Sequence, residues 1–402
     1  MTLPKLWRRL SAAGAAGVLA MGLAACGGGA ASGNDANQPL RILYSSGITG
    51  LLSPSAKAVE RGIKAAVADI NAKGGLHGRQ VEVTTKDNQS DPTRGVTEVQ
   101  EALDSGQKPD LVIPGVSSNE ALAVAPLLTR NKVVGLGPAS TSSLNDPAKY
   151  PYFFSQSALQ KDILAAVATF LHGKPGVRNV AVVTPDDALG DAIDDQLSGA
   201  FDKFGLAHTE YRFPADGVDF APAFGKALES KPDWIYMDGS GAQVPQLLSG
   251  RVKAGGENIP TIAGVVAGSQ PLLQLAKGTN QMDNVSMVML PTQAFVPEDR
   301  RSQQFNDFLS GIKAQGPIEV TLSTYGAGWD SVRLWADAVR AVQGPITPEA
   351  VRQSLMHLPA SDDRLFYKKT YTEQSNFVSA QADEFTIAQA TGTQDGMFIV
   401  KQ

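Results

Sequence analysis

The hydrophobic and polar positions between residues 59 and 83 predict a helix, a glycine stop and a strand. Ile63, Val67 and Ile70 are spaced four and three residues apart and therefore fall on one helical face. The glycine pair that begins at Gly74 can adopt the left-handed conformation that ends a helix. Apolar and polar residues alternate after it, as in a strand with one buried face.

The same succession of helices and short strands continues along the chain. Several of the predicted strands are continuous apolar runs, which is typical of parallel strands that are covered on both faces. Strands are predicted at 40–44, 81–86, 110–114, 133–136, 179–184, 208–212, 234–237, 261–263 and 286–290, and near the end at 365–371, 384–390 and 397–400. The helices between them favour an α/β fold with parallel sheets.

Residues 62–83, GIKAAVADINAKGGLHGRQVEV, are followed closely by DNQSDP at 87–92. This stretch resembles the first lobe of the type I periplasmic binding proteins of the branched-chain amino acid uptake group. The helix ending, the glycine turn and the Asp-Pro segment occur in the same order and spacing. The resemblance implies two Rossmann-like lobes with parallel sheets, joined by a three-strand hinge.

The domain boundaries follow from this resemblance together with the two series of strands and helices. Residues 40–155 and 292–360 are expected to form the first lobe. Residues 156–291 and 361–402 are expected to form the second, and the turn at 391–396 suits a hairpin.

The first 25 residues have the pattern of an export signal. Lys5, Arg8 and Arg9 precede an uncharged apolar run at 10–25, which is short for a membrane span of roughly 20 residues. An exported protein is therefore expected.

The apolar run ends in Leu-Ala-Ala-Cys, which resembles the lipobox of bacterial lipoproteins. Cys26 is the only cysteine of the chain. We expect residues 1–25 to be a lipoprotein signal peptide, Cys26 to carry the lipid and residues 26–39 to form a flexible tether. An ordinary secretory signal with an incidental cysteine is the alternative.

Composition narrows the choice of partners. The chain has 402 residues, enough for two or three domains, and 43% of them are hydrophobic. The net charge of −5 argues against nucleic acid as a partner.

In open α/β sheets, ligands bind beyond the carboxyl ends of the strands. In the first lobe, Ser117 and Ser118 follow one strand, and Ala139 and Thr141 follow the next. Hydroxyls and free N–H groups at a helix start suit a carboxylate. The resemblance implies ligand contacts at Ser118, Ala139 and Thr141, although the hydroxyls can also act as helix caps. Ser55 falls where relatives often have an aromatic residue, which suggests a larger or differently shaped pocket.

The corresponding positions in the second lobe depart from the amino acid binders. Leu189 and Ser240 stand where those relatives can have tyrosine, and the glutamate expected near Val265 is absent. Asp238 can substitute for that acid or can be a simple turn residue. These departures leave room for an uncharged or purely anionic solute.

Enzyme signatures are missing from the sequence. There is no nucleophile elbow and no P-loop, and the four histidines are dispersed without metal-ligand spacing. We therefore expect no catalysis, no cofactor and no metal.

Together the patterns predict a monomeric, lipid-anchored, extracytoplasmic solute-binding protein, at the outer face of the cell membrane or in the periplasm. The expected partners are a small solute and the permease and ATPase subunits of an ABC importer. A ligand-sensing receptor module and a binder of aromatic acids are the alternatives.

Overall fold

The computed structural model describes residues 38–50, 52–239, 243–265, 276–290, 292–361, 364–368 and 371–401. The expected signal peptide, Cys26 and almost all of the expected tether lie outside the described residues, and so does Ser240.

The first sheet consists of parallel strands in the order β2–β1–β3–β4–β5. These strands are β1 (Leu40–Ser46), β2 (Val81–Asp87), β3 (Leu111–Pro114), β4 (Val134–Gly137) and β5 (Phe153–Ser155). The helices α1 (Ser53–Ala72), α2 (Pro92–Asp104) and α3 (Ser118–Asn131) connect the first four of them. Ile42 in β1 lies opposite Val83 of β2 on one side and Leu111 of β3 on the other.

The second sheet has the strand order β11–β10–β9–β8–β6–β7. Its strands are β6 (Asn179–Asp186), β7 (Ala207–Pro214), β8 (Trp234–Met237), β9 (Thr261–Ala263), β10 (Val285–Met289) and β11 (Thr386–Ala388). Helices α4 (Gln160–His172), α5 (Ala188–Phe201), α6 (Ala221–Glu229) and α7 (Val244–Lys253) accompany it. All pairs are parallel except β10 with β11.

After β10 the chain returns to the first sheet through α8 (Gln303–Lys313), α9 (Leu322–Ala341) and α10 (Pro348–Met356). Helix α9 crosses α1 at two glycines. A Cβ atom on Gly62 would lie 1.9 Å from the carbonyl oxygen of Tyr325, and one on Gly328 would lie 2.0 Å from that of Val59. The fold therefore has two lobes, the first sheet with α1–α3 and α8–α10 and the second sheet with α4–α7, and the chain crosses between them three times.

Two predictions for the C-terminal part have clear outcomes. The predicted strand at 365–371 is wrong for the residues that the structure describes, because 365–368 and 371 belong to no strand. The predicted hairpin is confirmed: β12 (Ala390–Gln394) pairs antiparallel with β13 (Met397–Val400). Its turn is confined to Asp395 and Gly396, which both have positive φ angles.

The buried cores contain most of the large apolar side chains. Trp329 and Trp335 on α9 are buried and pack in the core. Among the residues that the structure describes, none of the helices has the length and apolar character that crossing a membrane requires.

Candidate functional site

A cavity of about 380 Å³ lies where the carboxyl ends of the two sheets face each other. Both lobes and all three crossing segments contribute to its wall. The wall consists of Ser55, Val59, Val116, Pro138, Ser140, Gln156, Ser157, Ala158, Gln160, Ile163, Leu189, Asp238, Val265, Leu290, Ser323, Thr324, Ala327, Phe366 and Tyr367.

Four residues predicted from the sequence line this cavity: Ser55, Leu189, Asp238 and Val265. Ser55 belongs to the first turn of α1 and Leu189 to that of α5. Asp238 directly follows β8, and Val265 comes two residues after β9. All four therefore line the cavity because strands end and the following helices begin at the carboxyl edge of each sheet.

The four residues predicted in the first lobe, Ser117, Ser118, Ala139 and Thr141, do not belong to the cavity wall. Their neighbours Val116, Pro138 and Ser140 do. These loops therefore form part of the wall through other residues.

The loop after β3 is held by Glu120, a residue that the sequence analysis missed. One oxygen of its carboxylate accepts hydrogen bonds from the N–H groups of Val116 and Ser117, at 3.1 and 3.0 Å, and from the Ser117 hydroxyl at 2.8 Å. The other accepts from the side-chain amide of Asn88 at 2.8 Å. Only 2% of Glu120 is exposed. The Ser-x-x-Glu spacing at 117–120 is the signal of this capping box.

The loop after β4 is bonded to the start of α3. The Ser118 hydroxyl oxygen accepts the N–H groups of Ser140 and Thr141, both at 3.2 Å. The Thr141 hydroxyl oxygen accepts the N–H of Ser143 at 3.4 Å, and the Ala139 carbonyl accepts the hydroxyl of Ser155. The polar groups predicted to hold a carboxylate thus have partners inside the protein.

Asp238 is the charged residue of the cavity wall, within the described part of the chain. Its carboxylate accepts the Tyr236 hydroxyl at 2.8 Å and the Gly239 N–H at 2.9 Å. Only 7% of Asp238 is exposed, and burial raises its pKa to about 6. Gly264 faces this carboxyl group so closely that a Cβ atom there would lie 2.2 Å from it. This close approach accounts for a glycine at position 264.

The crossing segments supply wall residues that sequence reasoning did not find. Gln156 donates to the carbonyl of Ala327 and accepts from the hydroxyl of Ser331, at 3.2 Å each. The side-chain nitrogen of Gln160 is buried and faces the Tyr236 hydroxyl.

The last crossing segment is attached to α9 by a buried acid. Asp330 accepts the N–H of Phe366 at 3.2 Å, which positions Phe366 and Tyr367 in the cavity wall. Burial raises the pKa of Asp330 to about 7. The N–H of Phe366 therefore bonds to a side chain and not to a neighbouring strand.

Residues 39–394 match the model of the family described as periplasmic binding protein. The Leu/Ile/Val-binding protein homolog 2 of Brucella abortus is 27% identical over 193 residues, which are 48% of this chain and 52% of that protein. In this alignment the chain spans about half of the relative's length. The Leu/Ile/Val-binding protein homolog 1 of the same species is 23% identical over 317 residues, or 77% of this chain and 80% of that protein.

Solved structures show the same architecture. An ABC transporter substrate-binding protein from Sphaerobacter thermophilus superposes with a TM-score of 0.73 at 19% identity, covering 90% of this chain and 97% of that one. At this identity the similarity establishes the fold.

Proposed function

The chain belongs to the periplasmic binding protein family, and from this premise we propose that it captures a small solute between its lobes and delivers it to an ABC importer. The cavity between the two sheets is the observation that carries the proposal. Its volume of about 380 Å³ suits a small molecule, and its wall comes from both lobes.

Capture proceeds by closure of the lobes. Val59 and Ser140 lie in the wall on the side of the first sheet, and Leu189 and Asp238 on the side of the second. A solute that touches all of them binds the closed form more tightly than the open form. Its binding energy therefore shifts the population toward closure. The expected lobe boundaries at residues 155, 291 and 360 are part of this proposal.

The proposed solute is an amino acid or a related small carboxylate or amide. Val59, Val116, Ile163 and Leu290 give the cavity an apolar surface that suits an aliphatic group. The two relatives carry the words Leu/Ile/Val-binding in their names. Asp238, Ser55, Leu189 and Val265 are the proposed contacts, while Ser117, Ser118, Ala139 and Thr141 shape the adjoining loops.

The protein would act outside the cytoplasm, held at the membrane by a lipid on Cys26 after removal of residues 1–25. No catalytic step is part of this role. A Cys26→Ala variant is expected to leave the membrane fraction; retention of that variant in membranes would count against the anchor.

A solute screen tests binding at the cavity. Purified protein is warmed with amino acids, amines, amides, and aliphatic and aromatic acids, and solutes that raise the melting temperature are measured by calorimetry. Ser55→Trp should abolish binding because the larger side chain fills the cavity. Val218→Ser, at a residue that is 82% exposed, is the matched control and should bind normally. Unchanged affinity in Ser55→Trp, or no binder in the whole screen, would contradict the proposal.

A further inference from the structure

Resting on the proposed solute-binding function, we propose that the cavity selects a protonated amine on a small apolar body, without a free carboxylate. The inference keeps solute binding between the lobes but replaces the amino acid or carboxylate proposed above by an amine or amino amide. It also departs from the carboxylate site that the sequence predicts in the first lobe.

The buried negative charge of Asp238 favours a solute that carries a cation. Its carboxylate has two donors from the protein, the Tyr236 hydroxyl and the Gly239 N–H, and both are neutral groups. The wall residues that the structure describes include no lysine, arginine or histidine. A buried carboxylate without a cation is costly, and an ammonium group at hydrogen-bond distance removes much of that cost. The solute is the component that can bring this group.

Two helix starts near the cavity, those of α3 and α5, already hold carboxylates of the protein. Glu120 accepts the N–H groups of Val116 and Ser117 at the start of α3. Asp187 accepts those of Leu189 and Gly190 at the start of α5, at 2.9 and 3.3 Å. A solute carboxylate would therefore meet negative charge at these two helix starts.

Two backbone N–H groups in the remaining loop of the predicted carboxylate site are also engaged by internal bonds. The N–H groups of Ser140 and Thr141 both point to the hydroxyl oxygen of Ser118. Breaking these bonds to bind a carboxylate would leave that oxygen without its two donors.

Gln160 offers one neutral donor to the solute. Its side-chain nitrogen is buried at the cavity, where one N–H faces the Tyr236 hydroxyl and the other is left for a solute. A single neutral donor suits a neutral oxygen, such as an amide carbonyl, better than a carboxylate that needs several donors. Amino amides therefore fit as well as simple amines.

Four compounds that share one branched aliphatic body test the inference by calorimetry at pH 7. They are 3-methylbutylamine, leucinamide, leucine and 4-methylpentanoate. The amine and the amide should bind at least about tenfold more tightly than leucine, and the acid should not bind. Asp238→Asn should weaken amine binding by at least about tenfold. The exposed variant Asp186→Asn, at the end of β6, is the control and should bind the amine normally.

The outcomes separate the inference from the underlying function. Tighter binding of leucine or 4-methylpentanoate, or an unchanged amine affinity in Asp238→Asn, would overturn the amine preference and leave solute binding intact. Failure of every solute in the wider screen would overturn both. Since Asp238→Asn can alter folding, its melting temperature without solute is measured first. If that variant is unfolded, the order of the four affinities in the natural protein decides whether the amine preference holds.

Discussion

The Tyr236 hydroxyl donates a hydrogen bond of 2.8 Å to the carboxylate of Asp238, two residues further along the chain. Tyr236 is fully buried, and burial raises its pKa far above the usual value. The Tyr236 hydroxyl therefore stays protonated and remains a hydrogen-bond donor at physiological pH. The bond stabilises the ionised form of Asp238 and opposes the effect of burial on that pKa.

Removing this donor should make amine binding more sensitive to pH. In Tyr236→Phe the carboxylate keeps only the Gly239 N–H, so the pKa of Asp238 should rise above about 6. At pH 7 more of the acid is then protonated, and the affinity for 3-methylbutylamine should fall by about three- to tenfold. Calorimetry between pH 5 and 8 measures this change.

The natural protein provides the comparison. Its amine affinity should fall as the pH drops below about 6, because a protonated Asp238 no longer attracts a cation. In Tyr236→Phe the same fall should begin at higher pH. Superimposable pH profiles would show that the tyrosine does not control this charge.

Much of the fold could be predicted because its signals are local. The apolar strands lie where periodicity places them, and helix α1 ends at Ala72, close to the glycine pair at 74–75 that predicts its stop. The strand predicted at 365–371 is wrong for a physical reason. Its apolar residues resemble a strand, but Phe366 faces the cavity and its N–H bonds to a side chain on α9.

The site was only partly predictable. Asp238 and Val265 follow strands, so general knowledge of α/β sheets leads to them. Gln156, Thr324 and Tyr367 come from distant parts of the chain and meet only after three crossings. No local pattern marks such residues.

Asp330 should make the stability of the protein depend on pH. Burial raises the pKa of this acid from 3.8 to about 7, so the folded state favours its protonated form. The stability that it contributes is fully present below pH 3.8 and is lost as the pH rises through about 7. Asp330→Asn has no such loss. Between pH 5 and 8 its free energy of unfolding should therefore gain about 2–3 kcal/mol relative to the natural protein.

Urea unfolding at several pH values tests this difference. Other titrating groups are common to both proteins and cancel in the comparison. Asp337→Asn, on the same helix but at a side chain that is 38% exposed, is the control, and its difference from the natural protein should stay constant with pH. If the free energy of unfolding of Asp330→Asn also differed from that of the natural protein by the same amount at every pH, Asp330 would not cause the pH dependence assigned to it.

Glu120→Gln should destabilise the protein although it barely changes the shape of the side chain. The glutamine has one carbonyl oxygen and an NH₂ group, which would face donors that now bond to a carboxylate. The expected loss is about 1–3 kcal/mol in the free energy of unfolding, measured with urea. Glu101→Gln, at an exposed position of α2, should change it by less than about 0.5 kcal/mol. Equal effects of the two variants would mean that the capping box does not support the loop.

The contact between α1 and α9 should tolerate no larger residue at Gly62. An alanine Cβ there would lie 1.9 Å from the carbonyl oxygen of Tyr325, so the two helices would have to separate. The expected loss is about 2–3 kcal/mol, read from urea unfolding. Because both helices carry cavity residues, the separation should also weaken solute binding. Gly199→Ala lies in the exposed part of α5 with nothing within 4 Å and should be neutral or stabilising by up to about 1 kcal/mol. If Gly62→Ala also gained stability, the helix crossing would not require a glycine at this position. The close crossing of α1 and α9 would then not be what holds this part of the cavity wall in place.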